Sequence, residues 1–318
     1  MARAPRPPRA RTDSSLSALV DLGAAEHYAD AGLYDHDYRN RRADVAWYRS
    51  LARRVLGGPG RILELGCGSG RVTLPLARDG HHVVGLDASA PMLARLEARR
   101  ERAGALGRRI QPVAGDLRDF AIEPAGFPLV IAAFNVLEHL YTRVELALCL
   151  AAVERHLAPG GRFAFDVQMP DLDWLTRASG ERQEAARFKH PRTGALTIYS
   201  TEHDYDPVSQ IAMIRIFYTP ADGKGPEHSV LLTQRRYFPA ELEALCAAAG
   251  FAVVERYGDF SDEELSGRSQ SQVLVLMRQR DFLDGNRASG SISSTRNRPR
   301  NQHPRRGRIR APSSARRR

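Results

Sequence analysis

Residues 61–70, RILELGCGSG, place three glycines within five positions directly after a short apolar run. Glycine forgoes side-chain contacts but tolerates positive φ and close backbone approach, so this cluster predicts a tight turn with a ligand against bare main chain. The flanking sequence sets that turn between a strand and a helix. A helix over about 44–55 precedes the strand RILEL, and a second helix runs from about Ser69 to Arg78. HHVVGLD (81–87) reads as a second strand, and SAPMLARLEARRERA (89–103) as a helix with a serine cap and Pro91 in its first turn. RIQPVAGD (109–116) and LVIAAFN (129–135) are the third and fourth strands. An Ala- and Leu-rich helix over about 142–156 ends at APGG, before the fifth strand, RFAFDVQ (162–168). Strands alternating with helices at this spacing predict a doubly wound α/β sheet, and their near-continuous apolarity predicts burial on both faces.

The rhythm changes past Gln168. ALTIYSTEHDYD, SQIAMIRIFYTP and HSVLLTQRRYF are strand-like runs joined by turn signals without helices, which predicts an antiparallel insert. The alternation resumes with the helix PAELEALCAAAG and the strand FAVVERYG, and the last strand is SQVLVLMRQ (271–279). The expected organisation is a basic, disordered lead-in over 1–24, one domain over 25–280 with its insert at about 169–238, and a disordered Arg-rich tail over 281–318.

Charge bears on what such a domain binds. The formal net charge is +10, but the first twelve residues hold four arginines and no acid, and residues 281–318 hold eleven arginines against two aspartates. Residues 13–280 are left at −3. The basic character therefore sits in tails too poor in apolar residues to form a core, and nucleic-acid binding is not the favoured reading. The longest strongly apolar stretch, LVIAAFNVL (129–137), is about half of what spans a bilayer, and no apolar signal region precedes the domain. A cytoplasmic protein without membrane contact is expected. Cys67, Cys149 and Cys246 are too scattered for a disulfide framework or a zinc site.

Three ligand classes use a glycine-rich corner of this kind. A dinucleotide fingerprint requires glycine where this chain has Arg71, and a phosphate-binding P-loop requires a Gly-Lys-Ser/Thr that is absent. The run Glu64-Leu65-Gly66-Cys67-Gly68-Ser69-Gly70 instead fits the E/D-x-G-x-G-x-G loop that binds S-adenosylmethionine. Asp87 closes the second strand, where a carboxylate accepts both ribose hydroxyls. Asp116 closes the third, placed to receive the adenine amino group while the Leu117 backbone pairs with a ring nitrogen. All three features lie at the carboxyl strand ends, the edge at which open α/β sheets bind ligands.

At these residues the chain resembles the class I S-adenosylmethionine-dependent methyltransferases, over about Ala25 to Arg280. It is most similar in pattern to small-molecule N-methyltransferases of the amino-sugar and glycine type. HYADAGLYDHDYRNRRADVAWY, FNVLEHL and the antiparallel insert carry that narrower likeness. The resemblance implies a Rossmann-like seven-stranded sheet whose last strand is antiparallel. It implies that Tyr34 lies over the cofactor, that Arg42 holds its methionine carboxylate, and that Phe134 belongs to the same site. On charge alone Arg39 and Arg41 are equally suited to the carboxylate. Tyr28 and His139 match the tyrosine and histidine that approach the amine in the sugar N-methyltransferases, with Glu138 a rival to His139. TEHDYD alternates its side chains between two faces of a strand, so surface charge is expected there in place of a metal site.

The sulfonium methyl of such a cofactor is already activated, so the chemistry demands positioning and exclusion of water. An amine must also shed a proton, which suits Tyr28 or His139. The Asn/Asp-Pro-Pro-aromatic motif of nucleic-acid amino methylation is replaced by FNVLEHL, and no cysteine stands at that strand end. Methyl transfer to a small-molecule acceptor is therefore expected, with nitrogen preferred and a homodimer through the insert possible. An RNA- or DNA-directed enzyme or binder using the arginine tails, and a catalytically silent scaffold, are the alternatives.

Overall fold

A computed structural model describes residues 13–288 except 262. The expected tails over 1–12 and 289–318 lie outside the described residues. The chain opens with α1 (Asp13–Ala25), a 3-10 turn (Glu26–Tyr28), α2 (Ala31–Asp37) and α3 (Ala43–Leu56). The alternating body follows as β1 (Arg61–Leu65), α4 (Thr73–Arg78), β2 (His82–Asp87), α5 (Ala90–Arg102), β3 (Ile110–Ala114), β4 (Phe127–Ala132), α6 (Arg143–His156) and β5 (Leu157–Gln168). After the short α7 (Leu172–Leu175) come β6 (Gln183–Lys189), β7 (Leu196–Asp206), β8 (Ile211–Pro220) and β9 (His228–Arg235). The chain then returns through α8 (Pro239–Ala248), β10 (Phe251–Gly258), β11 (Ser271–Arg278) and α9 (Gln279–Ala288).

The seven-stranded sheet has the order β10-β11-β5-β4-β1-β2-β3. The pairs from β5 to β3 are parallel, and β11 runs antiparallel to both neighbours. Successive residues of β1 point to opposite faces: Ile62 joins Trp47, Tyr48 and Leu51 of α3, while Leu63 joins Leu146, Leu150 and Leu242 of α6 and α8. Burial on both faces explains the run of apolar residues.

Residues 183–235 form a separate antiparallel sheet of order β6-β7-β8-β9. Leu33 of α2 packs with Ile216, Tyr218, Val230 and Leu232 of this sheet. The N-terminal helices and the insert thus share one apolar cluster.

Several boundaries differ from the sequence reading. Residues 13–24, expected in the lead-in, are helical, because α1 lies along β9 and the Thr233 Oγ1 hydroxyl donates to the Val20 carbonyl. The helix after the glycine turn starts at Thr73 in place of Ser69, since positive φ at Gly68 and Gly70 keeps the turn out of helical geometry. Helix α9 extends past Arg280, where Asp281 accepts from the Gly160 amide at 2.9 Å and from Arg278 Nε at 2.8 Å.

Candidate active site at the parallel strand ends

A cavity of about 550 Å³ lies at the carboxyl ends of the parallel strands, bounded by α1, the 3-10 turn and the β7–β8 hairpin. Gly66, Gly68, Asp87, Asp116, Leu117, Phe134, Tyr28, Tyr34, His139 and Tyr141 are among the residues that line it. Gly68 has φ +54° and a Cβ there would meet no protein atom, so the residue is glycine for its conformation and for the room above it. Its amide donates to Asp87 Oδ2 at 2.7 Å, and the Ser89 amide donates to Oδ1 at 2.8 Å. These bonds fix the carboxylate at the wall, while burial pushes its pKa up against their pull.

Other members of the expected set stand behind this surface. Glu64 is buried in β1, accepts from Thr73 Oγ1 at 2.6 Å, and does not line the cavity. Burial pushes its carboxyl up to about 8, against the Thr73 hydrogen bond. Gly70 is also outside the lining; a Cβ there would come within 2.5 Å of Leu96 on α5, so it serves helix packing. Asp116 reaches the lining but is held by Arg118, whose backbone amide donates at 2.8 Å and whose Nε donates at 2.9 Å. The Arg118 guanidinium keeps that carboxyl below its ordinary range.

Arg42 is not placed at the cavity: it is the exposed N-cap residue of α3. The arginines beside Phe134 are Arg71, 4.5 Å from the ring centroid, and Arg41 at 5.7 Å. Arg71 is itself tied to Asp44 through donations at 2.9 and 2.6 Å. Phe134 and Asn135 have φ of 70° and 61°, an unusual pair for residues with side chains. Asp166 on β5 holds them there, accepting from the Phe134 amide at 2.8 Å, the Asn135 amide at 3.1 Å and Tyr48 Oη at 2.7 Å. From sequence, Arg71 is singled out only as the departure from a dinucleotide fingerprint, and Asp166 is not singled out at all. The available signals were an isolated acid inside the apolar strand RFAFDVQ and an arginine just after the third glycine.

In the same lining, Tyr28 Oη and His139 Nε2 are 2.6 Å apart, and His139 Nδ1 lies 3.2 Å from Tyr141 Oη. The rings of Tyr28 and Tyr34 stand 5.6 Å apart, and those of Tyr34 and Tyr38 4.7 Å, continuing to Phe134 at 4.9 Å from Tyr38. Burial, then the nearby His27 and Arg236, lowers His139 to about 4, so the imidazole is neutral at neutral pH. Glu138, the rival to His139, is fully buried, accepts from the Gln168 amide at 2.6 Å and pairs with Arg236, away from the cavity lining.

In the TEHDYD strand, Glu202 faces Arg215 at 3.6 Å. His203 departs from the surface expectation: it is buried, stacks on Trp174 at 3.9 Å between centroids, and its Nε2 lies 2.7 Å from the Trp174 carbonyl. Among the described residues no group of three or more His, Cys, Asp or Glu is arranged to hold a metal ion, and no helix is long and apolar enough to cross a membrane.

Residues 62–161 match a family described as a methyltransferase domain. The chain is 30% identical over 237 residues to the cypemycin N-terminal methyltransferase of a Streptomyces species, covering 74% of this chain and 89% of that relative. Its fold matches the CcbJ methyltransferase of Streptomyces caelestis with a TM-score of 0.66 and 26% identity, over 80% of this chain and 98% of that one. The sugar N-methyltransferase KedS8 from a Streptoalloteichus species shares the fold with a TM-score of 0.59 and 22% identity, over 86% of this chain and 98% of its own.

Proposed function

Because the chain belongs to the class I S-adenosylmethionine-dependent methyltransferases, we propose that it methylates an amine nitrogen of a small acceptor, with Tyr28 and His139 positioning that nitrogen. The observation that carries this reading is the 2.6 Å contact of Tyr28 Oη with His139 Nε2 on the cavity that Gly68 and Asp87 also line. The fit to the cofactor rests on the open space over Gly68 and on the Asp87 carboxylate fixed at the wall by two backbone amides. Gly66, Gly68 and Asp87 would hold it, with Leu117 and Phe134 beside it. When bound, it supplies a methyl group activated by sulfonium sulfur.

The residues of the chain supply what an amine requires. The acceptor lone pair must face the methyl carbon, form the N–C bond as the S–C bond breaks, and leave the sulfur a neutral thioether. Tyr28 orients the nitrogen by accepting a hydrogen bond from one of its N–H groups, and the proton freed after transfer passes to Tyr28 Oη as the Tyr28 hydroxyl proton moves to His139 Nε2. The aromatic row of Tyr28, Tyr34 and Tyr38 excludes water from the reacting atoms. Asp21, Asp87, Asp116 and Glu145 line the cavity with Arg118 as the single cationic residue among the described lining, a balance suited to ammonium-bearing acceptors. The relative named an N-terminal methyltransferase supports nitrogen as the target.

The test is methyl transfer from labelled S-adenosylmethionine to amino sugars and short peptides with free α-amines, with N-acetylated and hydroxyl counterparts as controls. Label on nitrogen is expected. Tyr28→Phe should lower kcat roughly a hundredfold, the range typical of a positioned proton acceptor, with Kd for S-adenosylmethionine changed less than about twofold. Label found only on oxygen or carbon, or full activity in Tyr28→Phe, would reject the proposal.

A further inference from the structure

The hydrogen bonds behind His139 decide which of its nitrogens carries the proton. The Thr233 carbonyl has no proton to give, and Tyr141 Oη donates to it at 3.1 Å. Thr233 Oγ1, 2.9 Å from the same phenol, sends its own proton to the Val20 carbonyl at 3.1 Å. The phenolic proton of Tyr141 is thus directed at Thr233, and the oxygen it leaves exposed can only accept from His139 Nδ1 at 3.2 Å. A neutral imidazole carries one N–H. Its Nε2 is then an acceptor, and at 2.6 Å the only available donor to it is Tyr28 Oη.

We infer that Tyr141, anchored by Thr233, is a positioning residue that holds His139 as the Nδ1–H tautomer and so turns Tyr28 Oη into an acceptor facing the cavity. With its proton committed to His139, the Tyr28 oxygen presents only lone pairs to an incoming N–H. The opposite tautomer would have Tyr28 accept from His139 and present its own proton, competing for the nitrogen lone pair that must attack. The relay also draws on remote parts of the fold, since Val20 lies on α1 and Thr233 on β9. Gly23 makes this approach possible: a Cβ there would fall 2.6 Å from the Thr233 side chain. This role rests on the amine reading given above, but the tautomer itself does not depend on which atom is methylated.

The experiment is long-range proton–nitrogen NMR on the full chain labelled with ¹⁵N-histidine, at neutral pH and without acceptor, with His139 assigned by its loss in His139→Asn. In the wild type, Nδ1 should resonate as protonated nitrogen and Nε2 as bare nitrogen. Tyr141→Phe, which removes the acceptor oxygen, should shift both signals toward the Nε2–H pattern. Thr233→Val, which keeps the backbone carbonyl, should preserve the wild-type pattern. A wild-type His139 in the Nε2–H or doubly protonated form, or an unchanged pattern in Tyr141→Phe, would overturn the inference. If Tyr141→Phe does not fold, the wild-type signals alone still decide. Because no acceptor is present, a failure here is separate from a failure to methylate amines.

Discussion

Glu64 and Asp87 lie at or next to the ends of neighbouring strands and differ by one methylene, yet only Asp87 lines the cavity. Asp87→Ala removes a carboxylate placed for the ribose hydroxyls and frees the Gly68 amide, so calorimetry should show at least a tenfold weaker Kd for S-adenosylmethionine, the scale of one lost charge-assisted hydrogen bond of about 1.5–3 kcal/mol. Glu64→Gln keeps an oxygen for the Thr73 hydroxyl and, at a site where burial already favours the neutral form, removes little charge at pH 7. Its Kd should stay within about threefold of the wild type, since the lost interaction is not with the ligand. Equal losses in the two variants would place Glu64 against the cofactor after all. Asp87 could be picked out from sequence because a strand end fixes where its side chain goes. Arg42 follows from the resemblance alone, within a run holding Arg39 and Arg41 where no periodicity ranks one charge above another; at the helix start before Ala43 it is exposed. Tyr141 and Thr233 were out of reach for another reason. Their contact joins residues 92 apart, and neither stands at a strand end that a sequence pattern marks.

At the scale of elements, α2 is too short to persist alone, so its tertiary bonds set its position. Asp35 supplies most of them, accepting from Ser69 Oγ at 2.5 Å, from Arg99 at 2.6 Å and from Arg95. Arg99 also donates to the Ser69 carbonyl at 2.8 Å, so one cluster fastens the helix bearing Tyr34 to the glycine loop and to α5. Asp35→Ala should raise amide exchange over residues 26–38 and weaken S-adenosylmethionine binding by roughly threefold to tenfold, corresponding to about 1 kcal/mol for partly exposed charged hydrogen bonds. Unchanged exchange in that segment would show that the apolar contact of Leu33 with the insert sheet suffices to hold α2. The central strands were readable because burial on both faces leaves a continuous apolar run. Helix α1 was not, because its place depends on contact with β9, more than 200 residues later in the chain. The start of β5 was hidden as well: Leu157 pairs with Phe127, then the ladder slips and resumes at Arg162, so APGG lies inside the strand as a bulge where the sequence signals only a break.

For the whole molecule, acid acts oppositely on the sheet and on the elements that cover the cavity. Glu64 in β1 and Asp166 in β5 are raised by burial, to about 8 and about 6. A raised carboxyl favours the folded state most below its unfolded pKa, and that contribution is lost as pH climbs through the folded value. Acidification from pH 7 to 5 therefore does not weaken the sheet through these two groups. His27 and His139 have the reverse sign. Both are lowered to about 4, first by burial, so their contribution is complete above the ordinary histidine pKa near 6.5 and is lost as pH falls toward 4. For the buried His27 the shift corresponds to about 2 kcal/mol between pH 7 and 5, and His139, which keeps surface on the cavity, adds less. Both rings belong to the aromatic cluster around Tyr28, so segments 20–38 and 136–141 should open before the sheet does. Hydrogen exchange corrected for its intrinsic pH dependence should show protection falling in those two segments at pH 5 while β1, β4 and β5 remain protected. S-adenosylmethionine binding should weaken over the same interval, because Tyr34 and Tyr28 wall the cavity. A uniform loss of protection across sheet and cover would mean that the two histidines do not set the acid limit of the site.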